Sequence, residues 1–295
     1  MKPIFEGAAT AIVTPMTATG EVDYEAFANM IEWQIAEGIA AIVVAGTTGE
    51  SSTFGDQEHC DVIAFAVKQV AGRVPVIAGT GSNDTPYAVN LTKFACEAGA
   101  DAVLVVTPYY NKATQNGLIA HYTAIADAST KPVILYNVPS RTGCNILPKT
   151  AAKLAEHPMI AAIKEASGDL SQVAETARLV EGKMDIYSGN DDQIIPIMSL
   201  GGKGVISVLS NVLPAKTQEM CDRFLNGDVA GARRLQLDLL PLTHALFSEV
   251  NPIPVKAAAA AMGYGENYLR LPLTPMEEDH KAVLFDEMRK VGIEI

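Results

Sequence analysis

One lysine lies near the carboxyl end of a short apolar stretch, residues 160–168, and could carry covalent chemistry. The stretch has the composition of a buried β-strand. Because side chains alternate along a strand, Lys164 points to one face while Ile163 and Glu165 point to the other. A buried ammonium group loses its water, so its pKa falls, and the neutral amine can then attack a carbonyl to form a Schiff base. The alternative is a structural ion pair with a carboxylate.

Further polar side chains follow other apolar stretches, and together they suit chemistry on a carbonyl compound. Tyr136 could move protons during imine formation, Thr48 could orient that phenol, and Arg141 could bind a carboxylate through two parallel hydrogen bonds. Each also has a structural explanation, as a core cap, a turn residue or a solvated charge. The chemical interpretation therefore depends on their meeting at one face. The candidates are Thr47, Thr48, Tyr109, Tyr110, Tyr136, Arg141, Lys164 and Gly189.

The elements that would position these residues alternate regularly between strand-like and helix-like segments. The eight predicted strands are short, continuous and apolar, which indicates burial on both faces, as in a parallel sheet. Eight such units predict an α/β fold, a (β/α)8 TIM barrel, in which chemistry lies at the carboxyl ends of the strands. A doubly wound open sheet is the alternative, but its nucleotide loop is not found. The predicted strands cover residues 8–13, 39–45, 74–78, 102–106, 133–136, 160–168, 185–188 and 205–208.

The pattern changes to helices alone after Asn211. Residues 1–224 are predicted to form the catalytic barrel, and residues 225–295 a C-terminal helical region packed on it. Helices are predicted over residues 228–249, 252–262 and 275–291. No low-complexity linker precedes this region, so independent mobility is not expected.

Composition excludes several classes of function. The net charge of −12 over 295 residues argues against nucleic-acid partners and anionic membrane surfaces. Neither a signal segment nor an apolar run long enough to cross a bilayer is found, and the four cysteines are widely spaced, so reduced thiols and a cytoplasmic location are expected. The histidines show no metal-binding spacing, so no metal is expected. The loop over residues 188–192 is acidic, which disfavours a phosphorylated substrate.

Three motifs resemble the pyruvate-dependent class I aldolase and lyase superfamily: Gly46-Thr47-Thr48-Gly49-Glu50, Tyr136-Asn137-Val138-Pro139 and Ile163-Lys164-Glu165. Within it, residues 136–142 and 106–111 resemble the dihydrodipicolinate synthase family, over essentially the whole chain. The resemblance implies that Lys164 forms an imine with pyruvate and that no cofactor is needed. It implies that Thr47, Thr48 and the backbone around Ile206 hold the pyruvate carboxylate. Arg141 would bind L-aspartate 4-semialdehyde, giving 4-hydroxy-tetrahydrodipicolinate, the first committed step of the diaminopimelate and lysine pathway.

The resemblance also implies an assembly and a regulatory pocket. Tyr136 would be supported by Thr48 and by Tyr110 of a neighbouring subunit, in a homotetramer built as a dimer of dimers. Ser51, His59, Asn83 and Tyr109 match positions of an allosteric lysine pocket. Two positions depart from that pocket, since Asp56 stands in place of a histidine and Tyr87 in place of a glutamate that binds lysine. Weak or absent inhibition by lysine is therefore expected.

Two other functions stay open at this point. Another pyruvate-dependent lysine aldolase, such as an N-acetylneuraminate lyase or a keto-deoxy sugar acid aldolase, would share Lys164 and Tyr136 but would not need Arg141. A non-catalytic barrel that senses a keto acid is a third possibility, although a sensor has no need of a covalent amine.

Overall fold

A closed barrel of eight parallel strands forms the centre of the protein, whose residues 2–295 are described by a computed structural model. The strands pair in sequence order, and the last closes on the first. This arrangement confirms the predicted (β/α)8 fold. The strands are β1 (Gly7–Ala11), β2 (Ala41–Val44), β3 (Val76–Gly79), β4 (Ala102–Val106), β5 (Val133–Asn137), β6 (Ile160–Glu165), β7 (Asp185–Ser188) and β8 (Gly204–Ser207).

Helices connect the strands and cover the outside of the barrel. The first helix begins after Asp23, whose side chain accepts a hydrogen bond from the Ala26 amide at 2.9 Å and so caps the helix. In the described residues the α-helices are α1 (Tyr24–Ala36), α2 (Asp56–Val70), α3 (Thr85–Glu97), α4 (Gln115–Ala128), α5 (Pro139–Thr142), α6 (Pro148–Leu154), α7 (Leu170–Val180), α8 (Ile194–Ser199), α9 (Pro214–Leu225), α10 (Val229–Asp238), α11 (Leu240–Leu246), α12 (Ile253–Ala261) and α13 (Glu278–Lys290).

Two apolar layers explain why the strands are apolar throughout. Alternate strand residues such as Val43, Ile134 and Ile206 fill the barrel interior. The residues between them, such as Val44 and Ile163, pack against the surrounding helices. Each strand therefore buries both faces, which is the reason its sequence shows no polar alternation.

The pairing of β6 with its neighbours sets the position of the lysine. Lys164 is paired with Tyr136 of β5 on one side and with Tyr187 of β7 on the other. Ile163 belongs to the outer layer, whereas Ala162 belongs to the interior, so Lys164 is on the inward set. The predicted inward lysine is thus confirmed.

The C-terminal helices differ from the prediction at one point. The single helix predicted over residues 228–249 is two helices, α10 and α11, which meet at Leu239. Pro241 lies in the first turn of α11, and because proline lacks an N–H and clashes with the preceding turn, it favours a helix start there. The division of the chain at residue 224 stays a prediction. Within residues 2–295, no helix is long and apolar enough to cross a membrane.

Candidate active site

A cavity of about 260 Å³ opens at the carboxyl ends of the strands. Every strand end contributes to its wall, and so do two residues of the C-terminal helical region. The position is the one at which TIM barrels carry out chemistry. The cavity is lined by Ala11, Val43, Ala45, Gly46, Thr47, Thr48, Ser51, Gly79, Gly81, Leu104, Val106, Tyr136, Val138, Ser140, Arg141, Lys164, Ala166, Gly189, Asn190, Val208, Phe247 and Asn251.

Lys164 lines this cavity although its side chain is almost completely buried. Its side chain is 5% exposed, and its Nζ lies 4.3 Å from the centre of the Tyr136 ring. Burial lowers the pKa of Lys164 to about 8, with the charge of Asp191 acting to raise it and that of Arg141 to lower it. A substantial fraction of the amine is therefore neutral near physiological pH, as a nucleophile requires.

The neighbouring carboxylate does not pair with this lysine. Glu165 faces the other side of β6, where its side chain accepts hydrogen bonds from Asn137 Nδ2 and from the Ser167 amide. Burial raises the pKa of Glu165, and these donors oppose that effect. The bonds join the ends of β5 and β6 behind the site. The structural ion-pair alternative for Lys164 is therefore not supported at Glu165.

Tyr136 is buried beside the lysine, and its partner differs from the one predicted. Burial raises the pKa of the phenol, while the Arg141 charge and a hydrogen bond with Thr47 lower it. The sequence had assigned this contact to Thr48, which is wrong. The Thr48 hydroxyl instead accepts a hydrogen bond from Asn251 Nδ2 at 3.0 Å.

The turn that carries Thr47 and Thr48 explains why Thr47, and not Thr48, contacts the Tyr136 phenol. After β2 the chain no longer alternates as a strand, because the Gly49 amide bonds to the Gly46 carbonyl and the Glu50 amide to the Thr47 carbonyl. Glu50 follows with a positive φ of 58°. Which threonine faces the phenol is therefore set by turn geometry rather than by strand period.

Arg141 lies at the rim of the cavity on the short helix α5. One of its guanidinium nitrogens, Nη2, donates to the Asn251 carbonyl at 3.1 Å, and the side chain is otherwise exposed. Its remaining donors can serve an anionic group that enters the cavity.

Gly189 and Ile206 are the other predicted binding positions, and of the two only Gly189 lines the cavity. A Cβ on Gly189 would stand 2.7 Å from the Ala166 Cβ and 3.0 Å from the Lys164 Cε, so only glycine lets this chain pack against the lysine. The Ile206 side chain is buried in the barrel interior, and Val208 lines the cavity in its place. A binding role for the backbone around Ile206 stays a prediction.

Tyr110 does not line the cavity of its own chain. It is 91% exposed and has a positive φ of 71°. A bulky residue in the left-handed region is uncommon, and a fully exposed aromatic ring gains nothing from folding. Its neighbour Tyr109 is tied down, since the Tyr109 carbonyl accepts a hydrogen bond from Asn83 Nδ2 at 3.1 Å.

The predicted allosteric positions form a cluster beside the active site. Burial raises the pKa of the Tyr87 phenol, and the nearby Asp56 and Tyr109 side chains raise it further. His59 Nε2 bonds to the Gly79 carbonyl at 2.9 Å, and burial lowers the pKa of this histidine. Ser51 lines the active-site cavity itself.

The chain matches a family model and named relatives over almost its whole length. The model of the dihydrodipicolinate synthetase family matches residues 4–290. The chain belongs to the dihydrodipicolinate synthetase family. A relative named 4-hydroxy-tetrahydrodipicolinate synthase, from Lachnoclostridium phytofermentans, is 58% identical over 98% of this chain and 99% of its own.

Two crystal structures of family members show the same fold. The chloride-inhibited dihydrodipicolinate synthase of Acinetobacter baumannii, in complex with pyruvate, has a TM-score of 0.96 at 45% identity and covers 98% of this chain and 99% of its own. The Cyanidioschyzon merolae enzyme with lysine bound has a TM-score of 0.96 at 41% identity and covers 99% of this chain and 100% of its own. The family and the enzyme class, a lyase, are therefore the ones predicted.

Sequence reasoning missed two buried polar residues near this site, Asp191 and Asn251. Asp191 was read only as part of an acidic loop, yet it is 1% exposed and its carboxylate accepts the Val208 and Leu209 amides at 2.9 Å. Asn251 lies 203 positions from Thr48 in a helical region, and no local pattern marks it. Asp191 stands in a polar run after β7, residues 188–193, so its neighbours in the sequence did not mark it as the buried member of that run.

Removing the Asp191 charge is expected to lower the pKa of Lys164 below its present value of about 8. Asp191→Asn keeps an oxygen for the Val208 and Leu209 amides, so the loop should hold its shape. The pH at which pyruvate is trapped at half its maximal rate by borohydride should therefore move downward. The exposed neighbour provides the control, and Asp192→Asn should leave that pH unchanged. An upward shift in Asp191→Asn would contradict this electrostatic role.

Proposed function

We propose that this chain condenses pyruvate with L-aspartate 4-semialdehyde through an imine on Lys164, giving 4-hydroxy-tetrahydrodipicolinate. One observation carries the proposal: a buried lysine with a pKa of about 8 opens into a cavity that also holds a phenol, two threonines and an exposed guanidinium. The 58%-identical relative bears the name of this activity, and the Acinetobacter baumannii relative binds pyruvate. No cofactor is required, because the lysine itself supplies the covalent attachment.

The first half of the reaction would activate pyruvate. The neutral Nζ of Lys164 adds to the C2 carbonyl, and the carbonyl oxygen leaves as water after protonation, with Tyr136 moving the protons. Loss of a proton from the methyl carbon of the imine then gives an enamine. Thr47 and Thr48 would hold the pyruvate carboxylate, since both line the cavity.

The second half would join the two substrates. The enamine carbon attacks the aldehyde, whose oxygen takes a proton and becomes the 4-hydroxyl. Arg141 would hold the carboxylate of the aldehyde substrate with paired hydrogen bonds. The amino group of that substrate then attacks the imine carbon, which closes the ring and releases Lys164 as a free amine.

The proposed assembly is a homotetramer in which Tyr110 completes the site of a neighbouring subunit. An exposed tyrosine held at positive φ on a loop beside the cavity supports such a role, because burial against a partner would stabilise it. Sedimentation that finds only monomers at assay concentrations would rule this arrangement out.

Weak inhibition by lysine is the expected regulatory behaviour. The Cyanidioschyzon merolae relative binds lysine, whereas Tyr87 here replaces the glutamate expected in such a pocket, and the Asp56 carboxylate lies near the Tyr87 phenol, whose pKa is raised by burial and then by Asp56. Turnover should stay above half its uninhibited rate at roughly 1 mM lysine. A dissociation constant of that size corresponds to a binding free energy of only about 4 kcal/mol. Tyr87→Glu, which supplies the counter-charge, should increase inhibition. Half-inhibition of the unmodified enzyme at micromolar lysine would refute this expectation.

A condensation assay with two acceptors tests the proposed activity. Pyruvate is supplied with aspartate semialdehyde in one reaction and with N-acetylmannosamine in another. Turnover with only the first is expected. Turnover with only the second would retain the Lys164 imine but assign the chain to sialic acid lyase chemistry instead.

A further inference from the structure

Asn251 brings the C-terminal helical region into contact with both predicted substrate-binding elements. It lies between α11 and α12, is 6% exposed, and lines the cavity. Its side-chain Nδ2 donates to Thr48 Oγ1 at 3.0 Å, and its backbone carbonyl accepts from Arg141 Nη2 at 3.1 Å. The two contacts use different atoms, so they can be separated by mutation.

Buried charges hold this part of the chain against the loop after β2. Lys256 of α12 forms an ion pair with Glu50, and both side chains are almost fully buried. The Arg270 amide donates to the other Glu50 oxygen at 3.1 Å, while the Arg270 guanidinium binds both oxygens of Glu58 at 2.6 Å. Because Glu50 follows Thr48 by two residues, these bonds hold the C-terminal region against the loop that carries Thr48.

The hydrogen bond to Thr48 has a definite chemical consequence. A hydroxyl has one hydrogen to donate and two lone pairs to accept with. When Asn251 Nδ2 occupies a lone pair of Thr48 Oγ1, the hydroxyl hydrogen stays free for an acceptor in the cavity. A hydroxyl that already accepts a hydrogen bond is also a stronger donor. A carboxylate, which only accepts, is the group such a donor suits.

The cost of holding Asn251 in this orientation also indicates a functional role. Its Oδ1 is buried and accepts no hydrogen bond from another protein atom among residues 2–295. A buried polar atom without a partner destabilises a fold and calls for an explanation. The explanation here is that the amide is held with its N–H groups toward Thr48.

We propose that Asn251 is a positioning residue that keeps the Thr48 hydroxyl oriented as a hydrogen-bond donor to the carboxylate of the keto acid. The inference rests on the proposed function, since it assigns one more residue to the binding of pyruvate. It gives the C-terminal helical region a part in substrate binding beyond packing.

Steady-state kinetics of Asn251→Ala test this role. The substitution removes the contact with Thr48 but keeps the backbone carbonyl that binds Arg141. The KM for pyruvate should rise about tenfold, the factor expected from loss of one hydrogen bond to an anion. The KM for the aldehyde should change less than about twofold. Val250→Ala is the matched control, because Val250 is 57% exposed and should leave both values unchanged.

A double-mutant cycle with Thr48→Val separates positioning from a general loss of structure. If Asn251 acts through the Thr48 hydroxyl, adding Asn251→Ala to Thr48→Val should not raise the pyruvate KM further. Independent, multiplying effects of the two substitutions would overturn the proposal.

Asn251→Asp distinguishes the direction of the hydrogen bond. An ionised aspartate cannot donate to Thr48 and repels an anionic substrate, so the pyruvate KM should exceed that of Asn251→Ala and should fall as pH is lowered. A wild-type KM for this variant at neutral pH would mean that residue 251 accepts the Thr48 proton, which contradicts the proposal. Failure of the wild-type chain to condense pyruvate would refute the proposed function instead.

Discussion

Lys164→Met is expected to lower kcat by at least about 10⁴-fold while leaving the protein folded and more stable. Methionine has a similar length and no charge, so it can fill the same space beside Tyr136. The loss of activity follows from the loss of the only atom that can carry the covalent intermediate. Residual turnover would have to come from substrate positioning alone.

The gain in stability follows from the sign of the pKa shift. Burial lowers the pKa of Lys164 from 10.5 to about 8, so the folded state binds the proton less well than the unfolded state. At about 1.4 kcal/mol per pKa unit, the charged amine destabilises the fold by about 3 kcal/mol below pH 8. This penalty decreases as pH rises from 8 toward 10.5. Lys164→Met should therefore raise the melting temperature at pH 7, and the gain should shrink in alkaline buffer.

Lys256 is the matched control, because it is also a buried lysine but has a carboxylate partner. Its side chain is 2% exposed and forms an ion pair with Glu50, which is 1% exposed. Lys256→Met would leave the buried Glu50 carboxylate without its charged partner and with only the Arg270 amide as a donor, a loss of about 3–5 kcal/mol. The two substitutions should thus change thermal stability in opposite directions. Equal destabilisation by both would show that Lys164 is held in a structural ion pair.

Arg141→Ala is expected to lower kcat/KM for the aldehyde substrate by about 10²- to 10³-fold. The reason is the loss of paired hydrogen bonds to a carboxylate at the rim of the cavity. Arg141 also lowers the pKa of Lys164 and of Tyr136, so both values should rise when it is removed. Imine formation with pyruvate should therefore persist but require a more alkaline pH.

Arg141→Lys separates charge from geometry. A lysine keeps the positive charge but cannot form the planar pair of bonds, so it should restore the pH profile more than the aldehyde KM. A change confined to the pyruvate KM in either variant would contradict the role as acceptor clamp. Asn251→Ala should show the reverse pattern, with pyruvate affected and the aldehyde spared.

The sequence predicted the barrel and the inward lysine because both follow from local rules. Continuous apolar strands indicate burial on both faces, and alternation along β6 places Lys164 opposite Ile163. The pairing of Lys164 with Tyr136 depends on register, and a shift between Val133 and Ile134 of β5 could not have been read from the sequence.

The errors and omissions arose where geometry is not local. Thr47 rather than Thr48 faces the Tyr136 phenol because a turn follows β2, and turns do not keep the strand period. Asn251 reaches Thr48 across 203 positions, a contact that depends on how the helical region packs. Hydrophobic periodicity describes local structure only, so it cannot predict a hydrogen bond between residues this far apart in the sequence.

The measurement that tests the central claim most directly is reduction of the enzyme with borohydride in the presence of pyruvate, followed by peptide mass spectrometry. One reduced pyruvate adduct per chain, located at Lys164 and absent from Lys164→Met, is the expected result. An adduct at another lysine, or the absence of any adduct in an enzyme that still condenses pyruvate, would contradict the proposed mechanism.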